Sequence, residues 1–137
     1  MLIPVTMRSE IRESLPEETI LKRAIIIADS ARLRESLRAV LKSVEDIQVI
    51  DVAPDSDLGL VMVRENYPDL IFFNMTQSSE APADFLHIVK RDFPRTKCVV
   101  LVENIEQIRQ ARKAGTDGIL LRGFSVAELH EQLKMMK

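Results

Sequence analysis

Three observations predict an α/β domain built around a parallel sheet. Short apolar runs alternate five times with amphipathic stretches of helical length. The runs are continuous hydrophobic strings rather than alternations of polar and apolar residues, the mark of strands covered on both faces. Strand followed by amphipathic helix, repeated, means right-handed βαβ crossovers and parallel pairing.

Each element can be justified in turn. "RAIIIAD" from Arg23 is the first strand. In "SARLRESLRAVLKSV", Leu33, Leu37, Val40, Leu41 and Val44 share one helical face. "IQVIDV" is the second strand, and "SDLGLVMVREN" a second helix weakened by Gly59. "DLIFFN" is the third strand, and "APADFLHIVKRDF" the third helix with Pro82 in its first turn. "KCVVLV" is the fourth strand. "NIEQIRQARKAG" is the fourth helix, with Asn104 as N-cap and Gly115 just past its end. "DGILL" is the fifth strand, and "SVAELHEQLKMM" the fifth helix, opened by a capping box of Ser125 and Glu128. Residues 1–22 stand apart as an N-terminal arm before a domain over 23–137. Met7, Ile11 and Leu15 make one narrow stripe that Pro16 ends, so the arm reads as a frayed segment or a short docked helix.

Composition narrows the function classes. Among 137 residues, 46% are hydrophobic and 29% charged, as expected of a soluble domain. A net charge of −2 gives no electrostatic case for nucleic acid or an anionic membrane. A single cysteine, Cys98, rules out an internal disulfide and fits a reducing cytoplasm. No apolar run approaches the roughly 20 residues of a membrane span, and "MLIPVTMRSEIRE" reaches charges too early for a signal peptide. There is no GxGxxG loop for a dinucleotide among the four glycines. His87 and His130 lack partners at metal-ligand spacing and read as surface residues, Cys98 as a small core hydrophobe, and Ser78 and Ser79 as a polar loop.

Ligands of parallel α/β sheets sit beyond the carboxyl ends of the strands. The residues there are Ala28, Asp29 and Ser30; Val52 and Ala53; Asn74, Met75 and Thr76; Val102 and Glu103; Arg122 and Gly123. With the stretches "IIIADSARLRESLRAVL", "PDLIFFNM", "KCVVLVEN" and "AGTDGILLRGFSVAEL", the chain resembles the receiver domains of two-component response regulators over residues 23–136. The resemblance implies a flavodoxin-like, CheY-like (βα)5 doubly wound fold with strand order 2-1-3-4-5. It also implies a phosphorylation site, which this sequence alters. The family's acid pair after the first strand is Ala28 and Asp29 here. Its phosphate-accepting aspartate is Asn74, its hydroxyl residue Val102, and the small residue that follows is Glu103. Its lysine and proline after the fifth strand are Arg122 and Gly123, and its switch aromatic is Ile119.

An amide is no nucleophile toward phosphorus, so Asn74 cannot replace the acceptor. Magnesium prefers several oxygen ligands with carboxylate charge, which leaves at most a weak site at Asp29. The expectation is a pseudo-receiver with no cofactor, in which an ion pair of Asp29 with Arg122 stands where the metal would. Changes at so many positions point to natural degeneracy rather than to one engineered residue.

Two charged faces are candidate interaction surfaces. Arg34, Arg38 and Lys42 line the first helix, where a plain solvated face is the simpler reading. Arg109, Arg112 and Lys113 lie on the fourth helix, with Asp117, Glu128 and Glu131 to supply acids and Ile105 and Ile108 apolar contact. The resemblance implies a homodimer or protein partner through the fourth helix, fifth strand and fifth helix. The expected function is therefore phosphorylation-independent signalling by protein binding, with no enzymatic activity, in the cytoplasm. Two alternatives stay open. One is a switch through Thr76 or Ser78, and the other a flavodoxin-like binder or enzyme that uses the strand-exit cleft.

Overall fold

The computed structural model describes residues 21–74 and 81–136. The arm expected over 1–22 lies almost wholly outside them. Five parallel strands in the order β2-β1-β3-β4-β5 form one sheet. The elements in chain order are β1 (Lys22–Ile27), α1 (Ala31–Lys42), β2 (Ile47–Ala53), α2 (Ser56–Asn66), β3 (Leu70–Asn74) and α3 (Ala81–Asp92). They continue with β4 (Lys97–Val102), α4 (Ile105–Lys113), β5 (Gly118–Leu121) and α5 (Val126–Met135). The expected fold class and strand order are both present.

The two-residue period of a strand divides the apolar runs between two cores. Ala24, Ile26, Phe72, Val99 and Leu101 face α1 and α5, where they meet Leu37, Leu41 and Leu129. Ile25, Ile27, Ile71, Phe73, Val100 and Val102 face the other way, onto Val63, Phe85, Leu86 and Val89 of α2 and α3. Burying each of these large side chains contributes about 1.5–3 kcal/mol before entropy is counted. Leu33, Val40 and Val44 join the same core as Leu37, as the one-sided spacing of the first helix requires.

Local signals place the helix ends. Ser30 Oγ accepts from Leu33 N, Asp55 Oδ1 from Leu58 N and Asn104 Oδ1 from Gln107 N. Ser125 Oγ accepts from Glu128 N at 3.1 Å, but the Glu128 carboxylate meets the Ser125 hydroxyl at 3.3 Å. Only half of the expected capping box is therefore made. Gly115 follows α4 at φ 87°. The cost of Gly59 in α2 has a packing reason. A Cβ there would lie 2.4 Å from Ile27 Cδ1, so the missing side chain lets α2 cross close to β1.

Two strand edges carry side-chain bonds. A register shift between Ala24 and Ile25 leaves β2 with one extra residue opposite β1. Asp51 Oδ1 there accepts from Val52 N at 2.9 Å. On β5, Gln132 Oε1 accepts from Ile119 N at 3.2 Å.

Cys98 is wholly buried, as expected of a small hydrophobe. Burial above all, and Asp117 beside it, push its thiol up to about 12, with Lys90 opposing. Asp117 accepts from Lys90 Nζ at 3.0 and 2.8 Å and from Cys98 N at 2.8 Å. This half-buried network joins α3, β4 and the start of β5, so Asp117 is not the free interface acid the sequence led us to expect.

A thiol that ionises less readily folded than unfolded contributes stability that is intact below its ordinary value of 9.0 and is lost as pH rises toward about 12. Between those limits the wild type should lose up to about 1.4 kcal/mol per pH unit relative to Cys98→Ala. Urea midpoints of both proteins at about pH 8 and pH 10.5 measure the difference.

Candidate functional site

The carboxyl ends of β1, β3, β4 and β5 open onto a cleft of about 610 Å³. Asp29, Ser30, Asn74, Val102, Glu103 and Arg122 all line it, so one sheet edge gathers six of the expected strand-exit positions. Asn74 ends β3, paired across to Leu101, and is half-buried. Val102 ends β4 at the cleft, and its side chain is wholly buried in the core toward α2 and α3. Ala28 is buried and does not line the cleft. It donates its N–H to Ala53 O at 3.0 Å. Thr76 and Ser78 lie outside the described residues.

The expected pair of Asp29 with Arg122 does not form. Arg122 Nη1 donates instead to Glu103 Oε1. The topology gives the reason. Arg122 follows β5 and Glu103 follows β4, and these strands are neighbours. Asp29 follows β1, three strand positions away, and strands are spaced about 4.8 Å apart. The arginine therefore takes the acid next door. Its backbone is placed for this by Arg122 N donating to Val102 O at 2.9 Å.

The turn beyond Arg122 also departs from the family pattern. Gly123 has φ 85°, a left-handed conformation that suits glycine. A proline ring fixes φ near −65°, so the family's proline could not occupy this backbone.

Magnesium, which the resemblance implies, calls for several hard oxygen ligands. At this cleft Asp29 offers one carboxylate and Asn74 a neutral amide oxygen, while the Glu103 carboxylate is engaged by Arg122. Among the described residues no three His, Cys, Asp or Glu side chains gather. The donor set does not fit the ion.

Sequence reasoning missed several lining residues, Gln107 above all. It is a buried polar side chain, and its Oε1 accepts from Glu103 N at 2.6 Å. The signal was present, because Asn104 and Gln107 stand at capping-box spacing in "NIEQ". Arg32, Leu33, Ser36 and Leu101 are the other lining residues that reasoning missed.

The two charged faces fare differently. Arg34 is half-buried and its Nη1 donates to Ala28 O at 2.6 Å, which ties α1 to the end of β1. Only Arg38 and Lys42 of that trio stand exposed. On α4, Arg109, Arg112 and Lys113 are exposed, as are Glu128 and Glu131 on α5. Ile105 is 69% exposed, whereas Ile108 and Ile119 pack partly into the core. His87 and His130 are exposed, as expected.

This fold and this strand-exit cleft define a receiver-type signalling domain. The family model described as "Response regulator receiver domain" matches residues 24–134, and the chain belongs to that family. It is 31% identical over 103 residues to protein-glutamate methylesterase/protein-glutamine glutaminase 2 of Rhizobium johnstonii, covering 73% of this chain and 28% of that protein. It is 22% identical over 114 residues to response regulator protein VraR of Staphylococcus epidermidis, covering 82% of this chain and 54% of that protein. The chain thus spans about a quarter to a half of the length of these relatives. Among solved structures, a LuxR-family DNA-binding response regulator from Staphylococcus aureus aligns with TM-score 0.75 at 17% identity, covering 85% of this chain and all of that one. Chemotaxis protein CheY4 of Vibrio cholerae aligns with TM-score 0.69 at 16% identity, covering 85% and 99%. At these identities the structures establish the fold alone. The family places the chain in two-component signalling.

Both partners of the Arg122–Glu103 pair are well exposed, at 72% and 40%. Water and salt screen such a pair, so Arg122→Ala should change stability by less than about 1 kcal/mol. A urea titration checks this. A loss above that would mean that Arg122 also balances Asp29.

Proposed function

We propose that this receiver domain signals without accepting a phosphoryl group, through a protein-binding face. The observation that carries the reading is the amide at Asn74, the terminal residue of β3, beside a cleft in which Arg122 is already committed to Glu103. At this position the family's acceptor is an anionic carboxylate, and the neutral Asn74 amide is too weak a nucleophile to take its place. Val102 has no hydroxyl to meet a phosphoryl oxygen. In this degenerate site the cleft has become a structural joint.

The face that supports partner binding lies between α4, β5 and α5. A groove of about 320 Å³ runs there, lined by Ile108, Ile119 and Leu121 with Arg112 and Glu128 and Glu131. Leu121 is 50% exposed. Under twofold symmetry, Arg112 of one copy would meet Glu128 and Glu131 of the other, so the charges are self-complementary. Rim pairs of this kind set orientation more than affinity. The net charge of −2 supports protein rather than nucleic acid as the partner of this domain.

Incubation with acetyl phosphate and magnesium, read by intact mass, should give no added phosphoryl group. Asn74→Asp alone should stay unmodified as well, because one acid and the hydroxyl are still missing. A mass gain in the wild type, mapped to Thr76 or Ser78, would replace this reading with a non-standard acceptor.

Sedimentation tests the face. The wild type should self-associate, Arg112→Glu should weaken association about tenfold, and Glu131→Arg in the same chain should recover part of it. A monomer at every concentration would turn the reading to a different protein partner.

A further inference from the structure

We infer that Gln107, with the Glu103–Arg122 pair, forms a polar clasp that holds the first turn of α4 and thereby fixes the groove beside it. The inference deepens the reading proposed above, on which its functional meaning rests, by naming what keeps the binding face in one state.

The helices are anchored unequally. α1 buries Leu37 and Leu41, α3 Phe85, Leu86 and Val89, and α5 Leu129. α4 buries Gln107 and Ala111, with no large apolar side chain fully enclosed. Beyond its first three residues it leans on the core through Ile108, the small Ala111 and the capping Ala114. Its first turn has no such anchor, and there an amide takes over the task that a leucine performs elsewhere.

Gln107 makes that anchor in both directions. Its Oε1 accepts from Glu103 N at 2.6 Å, and its own N–H donates to Asn104 Oδ1 at 2.9 Å. Glu103 then reaches Arg122 through its carboxylate, and Arg122 N donates to Val102 O. The chain of bonds therefore runs from α4, through the turn after β4, to the turn after β5. The Glu103 N–H is part-buried, and the buried Gln107 amide holds its acceptor in place, so water replaces that bond only in part. The Glu103–Arg122 link is exposed and screened, so it is the weaker of the two.

The same helix walls two cavities. Gln107 lines the strand-exit cleft, and Ile108 and Arg112 line the groove. Loosening the clasp therefore moves side chains of the groove without any ligand in the cleft.

Hydrogen exchange of the full chain, read by peptide mass spectrometry, tests this without a phosphodonor or a partner. Gln107→Leu keeps the size of the side chain and removes its acceptor. Exchange in residues 103–110 should rise about five- to tenfold, while β1 and β3 keep their wild-type rates. Arg122→Gln should give a smaller rise in the same segment, reproduced in the wild type by added salt. Unchanged exchange in α4, or equal acceleration of every segment, would overturn the clasp. If Gln107→Leu does not fold, Arg122→Gln and the salt series decide alone. A rise confined to 103–110 supports the clasp, and none refutes it. Failure here leaves the phosphodonor result untouched, and a mass gain in that assay leaves the clasp standing.

Discussion

Covering the central strands from both sides is the constraint that organises this molecule. β1, β3 and β4 alternate their side chains between two apolar cores, and neither core can form unless helices close both faces. Helical crossovers of one hand then carry every strand in the same direction. All five strand exits consequently fall on one edge, with helix starts and polar turns around them. The cleft is a product of this geometry, whatever side chains occupy it.

Charge is settled between nearest neighbours at this edge. An arginine after β5 finds the glutamate after β4 because adjacent strands bring their turns together, and the aspartate after β1 is too many strands away. A similar economy appears at the other pole, where Lys90 and Asp117 close over the backbone of Cys98. Both pairs join consecutive units of the sheet. Neither asks a long side chain to cross the cleft, which would sacrifice rotamer freedom for a screened interaction.

Much of the fold was legible in the sequence because periodicity and caps are local. The apolar strings of β1 and β4, the one-sided leucines of α1 and the cap at Asn104 all depend on residues within a turn or two. The cleft positions were legible too, since strand ends are where the apolar runs stop. What the sequence concealed was pairing at a distance. Asp29 and Glu103 are equally good acids on paper, and only the strand order chooses between them. Asp117 looked like a surface acid because its partner, Lys90, is 27 residues away. Arg34 looked solvated because helical spacing does not show its guanidinium reaching back to the Ala28 carbonyl at the end of β1. Gln107 was hidden by its type, because a polar residue on an amphipathic helix is normally assigned to the outside.

The sheet is also finished at both margins. At β2 an aspartate spends its carboxylate on the neighbouring amide of its own strand, and at β5 a glutamine from α5 takes an amide that no strand has claimed. A visiting peptide would have to displace these bonds before it could lengthen the ladder. Recognition of this domain is thereby steered away from main-chain templating, and toward shape and charge presented by side chains.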